Sequence, residues 1–274
     1  MNDFKISFTM SVQKIFIFIS VFLAYNCAFA SIVISNGLTH THKVKESMVY
    51  KGIITIQNTA EFSKSVKLYQ KDYSYNANGT SHYNDFGTSE RSNLQWIKLN
   101  TNLLKLEANG KANISYEITV PDHMDAGSFW SVIMVEPTDE IKPSNDKPGV
   151  QIKSVIRYSI QIITTNEKPA NALLNFENIN LAKQDGKRIL EIDIANQGQL
   201  YHTVESSIEI FDNKSGNHKG NYKSSRLSLL PNNAKRFTID LSTITPGKYS
   251  AVILAATHEE QVFGINIELD ITDE

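Results

Sequence analysis

Two stretches decide the fold: Phe129–Pro137 reads FWSVIMVEP and Val150–Ile163 reads VQIKSVIRYSIQII, with Pro143 and Pro148 in the loop between them. In the second, the even positions Val150, Ile152, Ile156, Tyr158, Ile160 and Ile162 are apolar, and Ser154 interrupts them. The odd positions include Gln151, Lys153, Arg157, Ser159 and Gln161. Successive side chains on a strand point to opposite faces, so this pattern predicts an antiparallel strand with one dry face and one wet one. Strands usually run about five or six residues; an alternation this long has an edge to offer to another chain.

Working outward, shorter alternating runs precede it at Ile32–Ser35, Met48–Gln57, Ser65–Gln70, Leu94–Leu99, Leu103–Leu106 and Ala112–Val120. Turn signals such as Asn78-Gly79, Asn109-Gly110 and Pro121-Asp122 separate them. About eight strands in roughly 135 residues, without helical periodicity, predict an immunoglobulin-type β-sandwich. Thr164–Asn171 is polar, holds Pro169 and breaks the rhythm, which marks a domain boundary there. Beyond it, runs at Ala172–Phe176, Arg188–Asn196, Thr203–Phe211, Ser225–Leu229, Ala234–Leu241, Lys248–Thr257 and Val262–Ile271 predict a second sandwich. The expected chain is all-β, with tandem immunoglobulin-like sandwiches over residues 31–165 and 166–274.

Lys5 and Lys14 lead into the apolar run Ile15–Ala24, and Ala28-Phe29-Ala30 has the small residues of a cleavage site. Residues 1–30 therefore predict a secretory signal peptide; an uncleaved anchor would need a run nearer ~20 residues. Cys27 leaves with the signal, so the exported chain carries no cysteine and must be held by its core rather than by disulfides. No membrane span is expected after cleavage. With 27 basic and 29 acidic residues the net charge is −2, which supplies no global field for nucleic acid or anionic lipid.

Catalytic chemistry is not in evidence. The chain has no G-x-S-x-G, no H-E-x-x-H and no cysteine nucleophile after export, so neither an enzyme nor a cofactor is expected. His40 and His42, in Thr39-His40-Thr41-His42, would share one face of a strand. They could ligate Zn²⁺ or Cu²⁺ given a third ligand, or be two exposed polar residues; a metal site is not the expected outcome. Tyr69, Tyr73, Tyr75, Tyr83 and Phe86, interleaved with Asn, Ser and Gly, read either as a carbohydrate-stacking surface or as a strand-connecting loop. Trp96 and Trp130 are expected in the core.

The order of features is more specific than any one of them. Val49–Asn58 (VYKGIITIQN), Trp96-Ile97, Leu104–Gly110 (LKLEANG), Val120-Pro121, FWSVIMVEP and the strand around Arg157 together resemble the N-terminal domain of PapD-like periplasmic chaperones, which assemble pili. The resemblance implies two domains in a boomerang, with a basic cleft that binds a subunit's C-terminal carboxylate and a long strand that donates apolar side chains. By position, Arg157 falls at the cleft lysine, with Lys153 nearby. His40 and His42 fall at the N-terminal basic positions, and Val150, Ile152 and Ile156 at donor positions. A solvated charge guarding an edge strand is the other open reading of Arg157. The implied partners are a secreted pilus or surface-structure subunit and an outer-membrane usher, and the implied location is the periplasm. A second resemblance is to the tandem sandwiches of WxL-interacting surface proteins in Gram-positive bacteria. It implies an adhesive or scaffolding module that binds cell-wall glycan or a surface protein; those proteins normally carry a C-terminal membrane helix, which this sequence lacks.

Overall fold

The computed structural model describes residues 31–87, 89–138, 155–166 and 168–272. The signal-peptide segment and the expected site residues Val150, Ile152 and Lys153 lie outside the described residues. In chain order the first half forms β1 (Ile32–Ile34), β2 (Thr39–Val44), β3 (Val49–Asn58), β4 (Lys64–Tyr75), β5 (Ser81–Asn84), β6 (Ile97–Leu99), β7 (Leu103–Leu106), β8 (Lys111–Thr119), β9 (Ser128–Pro137) and β10 (Tyr158–Asn166). A sheet ordered β1-β3-β8-β6 packs on one ordered β2-β10-β9-β4-β5, to which β7 adds through β4. Between them lie Ile54, Ile56, Ile114 and Ile118 from the first sheet and Val66, Leu68, Ile133, Val135, Ile160 and Ile162 from the second.

The second half repeats the plan with β11 (Leu174–Gln184), β12 (Lys187–Asn196), β13 (His202–Asp212), β14 (His218–Lys223), β15 (Leu227–Leu229), β16 (Ala234–Asp240), β17 (Gly247–Thr257) and β18 (Val262–Ile271). Its sheets are β11-β12-β16 and β14-β13-β17-β18, with β15 on β13. The protein is thus an all-β pair of immunoglobulin-like sandwiches, and no helix among the described residues is long and apolar enough to cross a membrane.

The same device closes the second strand of each consecutive sheet pair. Asn58 ends β3 fully buried; its amide donates to the carbonyls of Phe62 (2.8 Å) and Glu107 (2.9 Å), and its Oδ1 accepts from the Ala60 N–H (3.0 Å). Asn196 ends β12 in the same way, donating to Leu200 O (2.7 Å) and Leu229 O (3.1 Å) and accepting from the Gly198 N–H (3.0 Å). A buried turn would otherwise leave its backbone groups unmet, at a cost of about 1–3 kcal/mol each.

The decisive strand differs from its expected limits. Within the described residues it begins at Tyr158, and Val155–Arg157 take no strand pairing. Register explains this: Tyr158 sits opposite Val135, so Ile156 would sit opposite Pro137, the last residue of β9, which has no N–H to offer a ladder. At its other end β10 runs on to Asn166. Its open margin is also shorter than the alternation implied. From Gln161 to Asn166 it pairs with β2 in parallel, and from Tyr158 to Thr165 with β9 in antiparallel, so among the described residues only Tyr158–Ile160 lack a neighbour on the β2 side.

The two sandwiches share a core. Tyr75, Trp130 and Ile163 of the first belong to the buried cluster that contains Ile192, Ile194, Ile208, Leu230, Phe237 and Ile253 of the second. The Tyr75 hydroxyl donates to Ser228 O (3.2 Å) and accepts from the Leu230 N–H (2.9 Å), while the Tyr75 N–H donates to Asn233 Oδ1 (2.7 Å). A few residues away the Ser128 N–H donates to Gln199 O (2.8 Å), and the Tyr201 N–H to Ser128 Oγ (2.9 Å). Gly127 is required there: at φ +107° it lies where a Cβ would stand 2.2 Å from Gln199 O. Replacing Tyr75 by Ala is expected to cost roughly 3–5 kcal/mol and to split denaturant unfolding into two transitions. Tyr75→Phe, which strands the buried Leu230 N–H and removes the donor to Ser228 O, should cost about 1–3 kcal/mol and keep one transition, as urea melts followed by tryptophan fluorescence would report.

Candidate functional site

Where the β4–β5 hairpin meets the outer face of the three-stranded sheet there is a groove of about 450 Å³, lined by Tyr73, Tyr75, Gln184, Glu191, Lys235 and Arg236 among others. Strand alternation fills it: β12 turns Leu190, Ile192 and Ile194 into the core and leaves Glu191 and Asp193 on the opposite face. Arg236, opposite Asp193 in register, grips both carboxylates. Its Nε and Nη2 lie 2.7 and 2.9 Å from the two Asp193 oxygens, and its Nη1 lies 2.9 Å from Glu191 Oε2. This fork matches the planar guanidinium, and the Arg236 bond holds the Asp193 carboxyl below its usual range. Arg236 is therefore committed to its own sandwich. Lys235 is not so committed. Its ammonium stands 4.6 Å from the Tyr75 ring centroid and 3.3 Å from Ser228 Oγ, and burial lowers its pKa. It has no carboxylate partner among the described residues, which makes it the cation with which the groove can meet an acceptor group.

The residues singled out from sequence fall elsewhere. Arg157 does not lie between the sandwiches. Its Nε pairs with Glu136 Oε1 at 3.0 Å, its side chain is 57 % exposed, and Glu136 Oε2 accepts from the Tyr69 hydroxyl at 2.7 Å. The register corrects the cleft placement. β10 meets the second sandwich at its Thr165 end, opposite Ser128, whereas Arg157 precedes its first residue, about 25 Å away at strand rise. Cations that do lie towards the junction end are Arg91, whose Nη1 donates to Ala126 O (3.1 Å) and Ser128 O (3.3 Å), and Lys168, 2.8 Å from both Glu46 Oε1 and Met124 O. Ile156 is exposed beside the short open margin of β10.

His40 and His42 come together, but on a tyrosine. Both project from β2 to the hydroxyl of Tyr116 on β8, in the facing sheet, at 3.0 Å (His40 Nδ1) and 2.9 Å (His42 Nε2). A hydroxyl donates once and accepts as well, so it serves two neutral imidazoles. Burial lowers the pKa of His40; burial, and then the neighbouring His40, lowers that of His42. The Tyr116 phenol is pushed up by burial to about 12. Gly52 makes room for this ring: a Cβ there would stand 2.1 Å from Tyr116 Cζ. The aromatic run serves the joint more than a ligand. Tyr75 is buried in the shared core, Tyr73 packs against it, and Tyr83 stacks on Tyr73 at 5.2 Å, leaving Tyr83 and Phe86 exposed. Trp130 is core, as expected, and the partly buried Trp96 packs on Phe129.

One feature that sequence reading did not single out is a sheet margin with no neighbour among the described residues. β18, ten residues long, is the last strand in its sheet order, and its first residue, Val262, is 59 % exposed. Residues 147–274 match the family described as WxL Interacting Protein, host binding domain. This host-binding-domain match begins ahead of β10, runs through β18 and takes in Lys235 and Arg236. No curated protein sequence matches the chain. Among solved structures the chain is similar to PapD-like fimbrial chaperones. The chaperone–tip adhesin complex of CFA/I fimbriae has 14 % identity and a TM-score of 0.46, covering 89 % of this chain and 100 % of that one. The class 5 fimbriae chaperone CfaA has 13 % identity and a TM-score of 0.47, covering 86 % and 98 %. For the Pseudomonas aeruginosa CupB2 chaperone the figures are 11 % and 0.41, covering 86 % and 100 %.

The histidine clamp has a pH signature. Folded-state imidazole pKa values below the unfolded value of about 6.5 mean that the unfolded chain takes up protons first, so stability is full above that pH and declines as pH falls towards the folded values. Urea midpoints measured between pH 7.5 and 5 should fall with pH in the wild type and change less in His40→Asn/His42→Asn.

Proposed function

We propose that this protein is a non-enzymatic, exported binding module that holds a surface-exposed protein partner through its second sandwich, with the first sandwich as its rigid mount. The observation that carries this reading is the match of residues 147–274 to the host binding domain of WxL Interacting Protein. The β18 margin, which has no neighbour among the described residues, supports it, because an unpaired strand edge offers backbone groups that a partner strand can complete. Export is supported by Lys5, Lys14, the run Ile15–Ala24 and Ala28-Phe29-Ala30.

A second reading, strand donation to a pilus-type subunit, is favoured by one observation: exposed Val155 and Ile156 lead into the margin of Tyr158–Ile160, which has no neighbour on the β2 side among the described residues. The two readings use different edges and can be separated. The full chain would be tested by biolayer interferometry against a purified WxL-class surface protein and against a pilus subunit, using Val262→Lys/Asn266→Lys for the β18 edge and Ile156→Lys/Arg157→Glu for the β10 edge. The expected outcome is binding of the surface protein, weakened tenfold or more, about 1.4 kcal/mol, by the β18 changes alone. Loss confined to the β10 changes, with the pilus subunit as ligand, would establish the donation reading instead. Binding that neither pair weakens would remove both.

A further inference from the structure

The sequence offers His40 and His42 as a pair that a third ligand could complete, with no metal site expected there, and the structure engages both on Tyr116. A different set converges at the tip of the β17–β18 hairpin. His202, the first residue of β13, lies 2.9 Å through Nδ1 from Glu259 Oε2, and His258 lies 2.9 Å through Nε2 from Glu259 Oε1. One donor atom from each of the three residues lies within 4.8 Å of the others. We propose that His202, His258 and Glu259 form a surface binding site for a divalent transition-metal ion of the zinc class.

Backbone bonds hold the site together. The turn after β17 is closed by the Thr257 N–H on Gln261 O (2.9 Å) and the Glu260 N–H on Thr257 O (3.2 Å), with Glu260 at φ +65°. The His258 N–H donates to Thr203 O (3.1 Å), which ties this turn to the start of β13, where His202 sits. His202 is 1 % exposed, so its ring is fixed by packing, whereas His258 and Glu259 are about half exposed. One ligand is therefore preset, and the two mobile ones can close by rotation to the roughly 2.0–2.2 Å that Zn²⁺ takes with imidazole and carboxylate. The buried Nε2 of His202 has no hydrogen-bond partner among the described residues. When the ring proton moves to Nε2, Nδ1 presents its lone pair, and its hydrogen bond to Glu259 Oε2 gives way to a cation held between the two. Two imidazoles and a carboxylate suit zinc-class ions and disfavour Ca²⁺ or Mg²⁺, which take oxygen ligands. The exposed side leaves a fourth position to water or to a donor atom from another protein. A bound ion would staple the hairpin at one end of β18 to the strand whose preceding loop meets the first sandwich.

The test is calorimetric titration of the full, untagged chain with ZnCl₂, together with thermal melts in Zn²⁺ and in Ca²⁺. Expected are one Zn²⁺ per chain, a melting temperature that rises with Zn²⁺ and not with Ca²⁺, and a tenfold or greater loss of affinity in His258→Ala and in Glu259→Gln. Both variants alter half-exposed side chains, so their metal-free melting temperature should stay near that of the wild type, which separates ligation from folding. His40→Ala/His42→Ala should still bind one Zn²⁺. Absence of Zn²⁺ binding in the wild type, unchanged binding in both His258→Ala and Glu259→Gln, or loss only in the His40/His42 variant would overturn the assignment.

Discussion

The arrangement of this protein depends on one side chain inserted where two cores meet. Tyr75 ends a strand of the first sandwich, yet its ring is buried among residues of the second, and its hydroxyl serves as donor and acceptor to two backbone groups there. With Trp130 and Ile163 beside it, the second core is closed only when the first sandwich is in place. A chain whose single cysteine is Cys27 has no disulfide to fix the relation between its halves. Apolar burial and satisfied backbone groups do that work instead.

That constraint also shapes the groove. Because Tyr75 enters at the end of β16, the Lys235 stem is drawn over its ring, and the ammonium is left facing the hairpin rather than a carboxylate. Arg236, one residue on, faces the opposite way and is held by Glu191 and Asp193. Two adjacent cations thus have different roles because strand alternation sends them to different faces. A partner carboxylate or backbone carbonyl entering the groove would find the lysine accessible and the arginine committed.

Most strands were legible because each buries one face, and that leaves its period in the sequence: Ile54 and Ile56 on β3, or Val204, Ser206, Ile208 and Ile210 on β13, alternate as a half-buried strand must. Strands without a buried face left no such trace. β5 is exposed throughout, and β14, HKGNYK, has no apolar alternation, so neither was expected. Arg157 was misplaced for a different reason. Its own residues specify a strand, but where that strand begins depends on Pro137 of its partner, and which end meets the second sandwich depends on the register with Ser128. Tyr75 was hidden in a run of Tyr, Ser and Asn that reads as a loop. His202 and Glu259 are too far apart in the chain for any local spacing to join them.

The parallel pairing of β2 with β10 has a mechanical corollary. Six rungs, from Thr39–Gln161 to Val44–Asn166, link the second and last strands of the opening sandwich, and the chain enters β2 and leaves β10 at opposite ends of the ladder. Tension applied between Thr39 and Asn166 would load all six rungs together in shear instead of peeling them one by one. Such a clamp raises rupture resistance along that axis, and β2 supplies it from a strand that gives the core little beyond Val44.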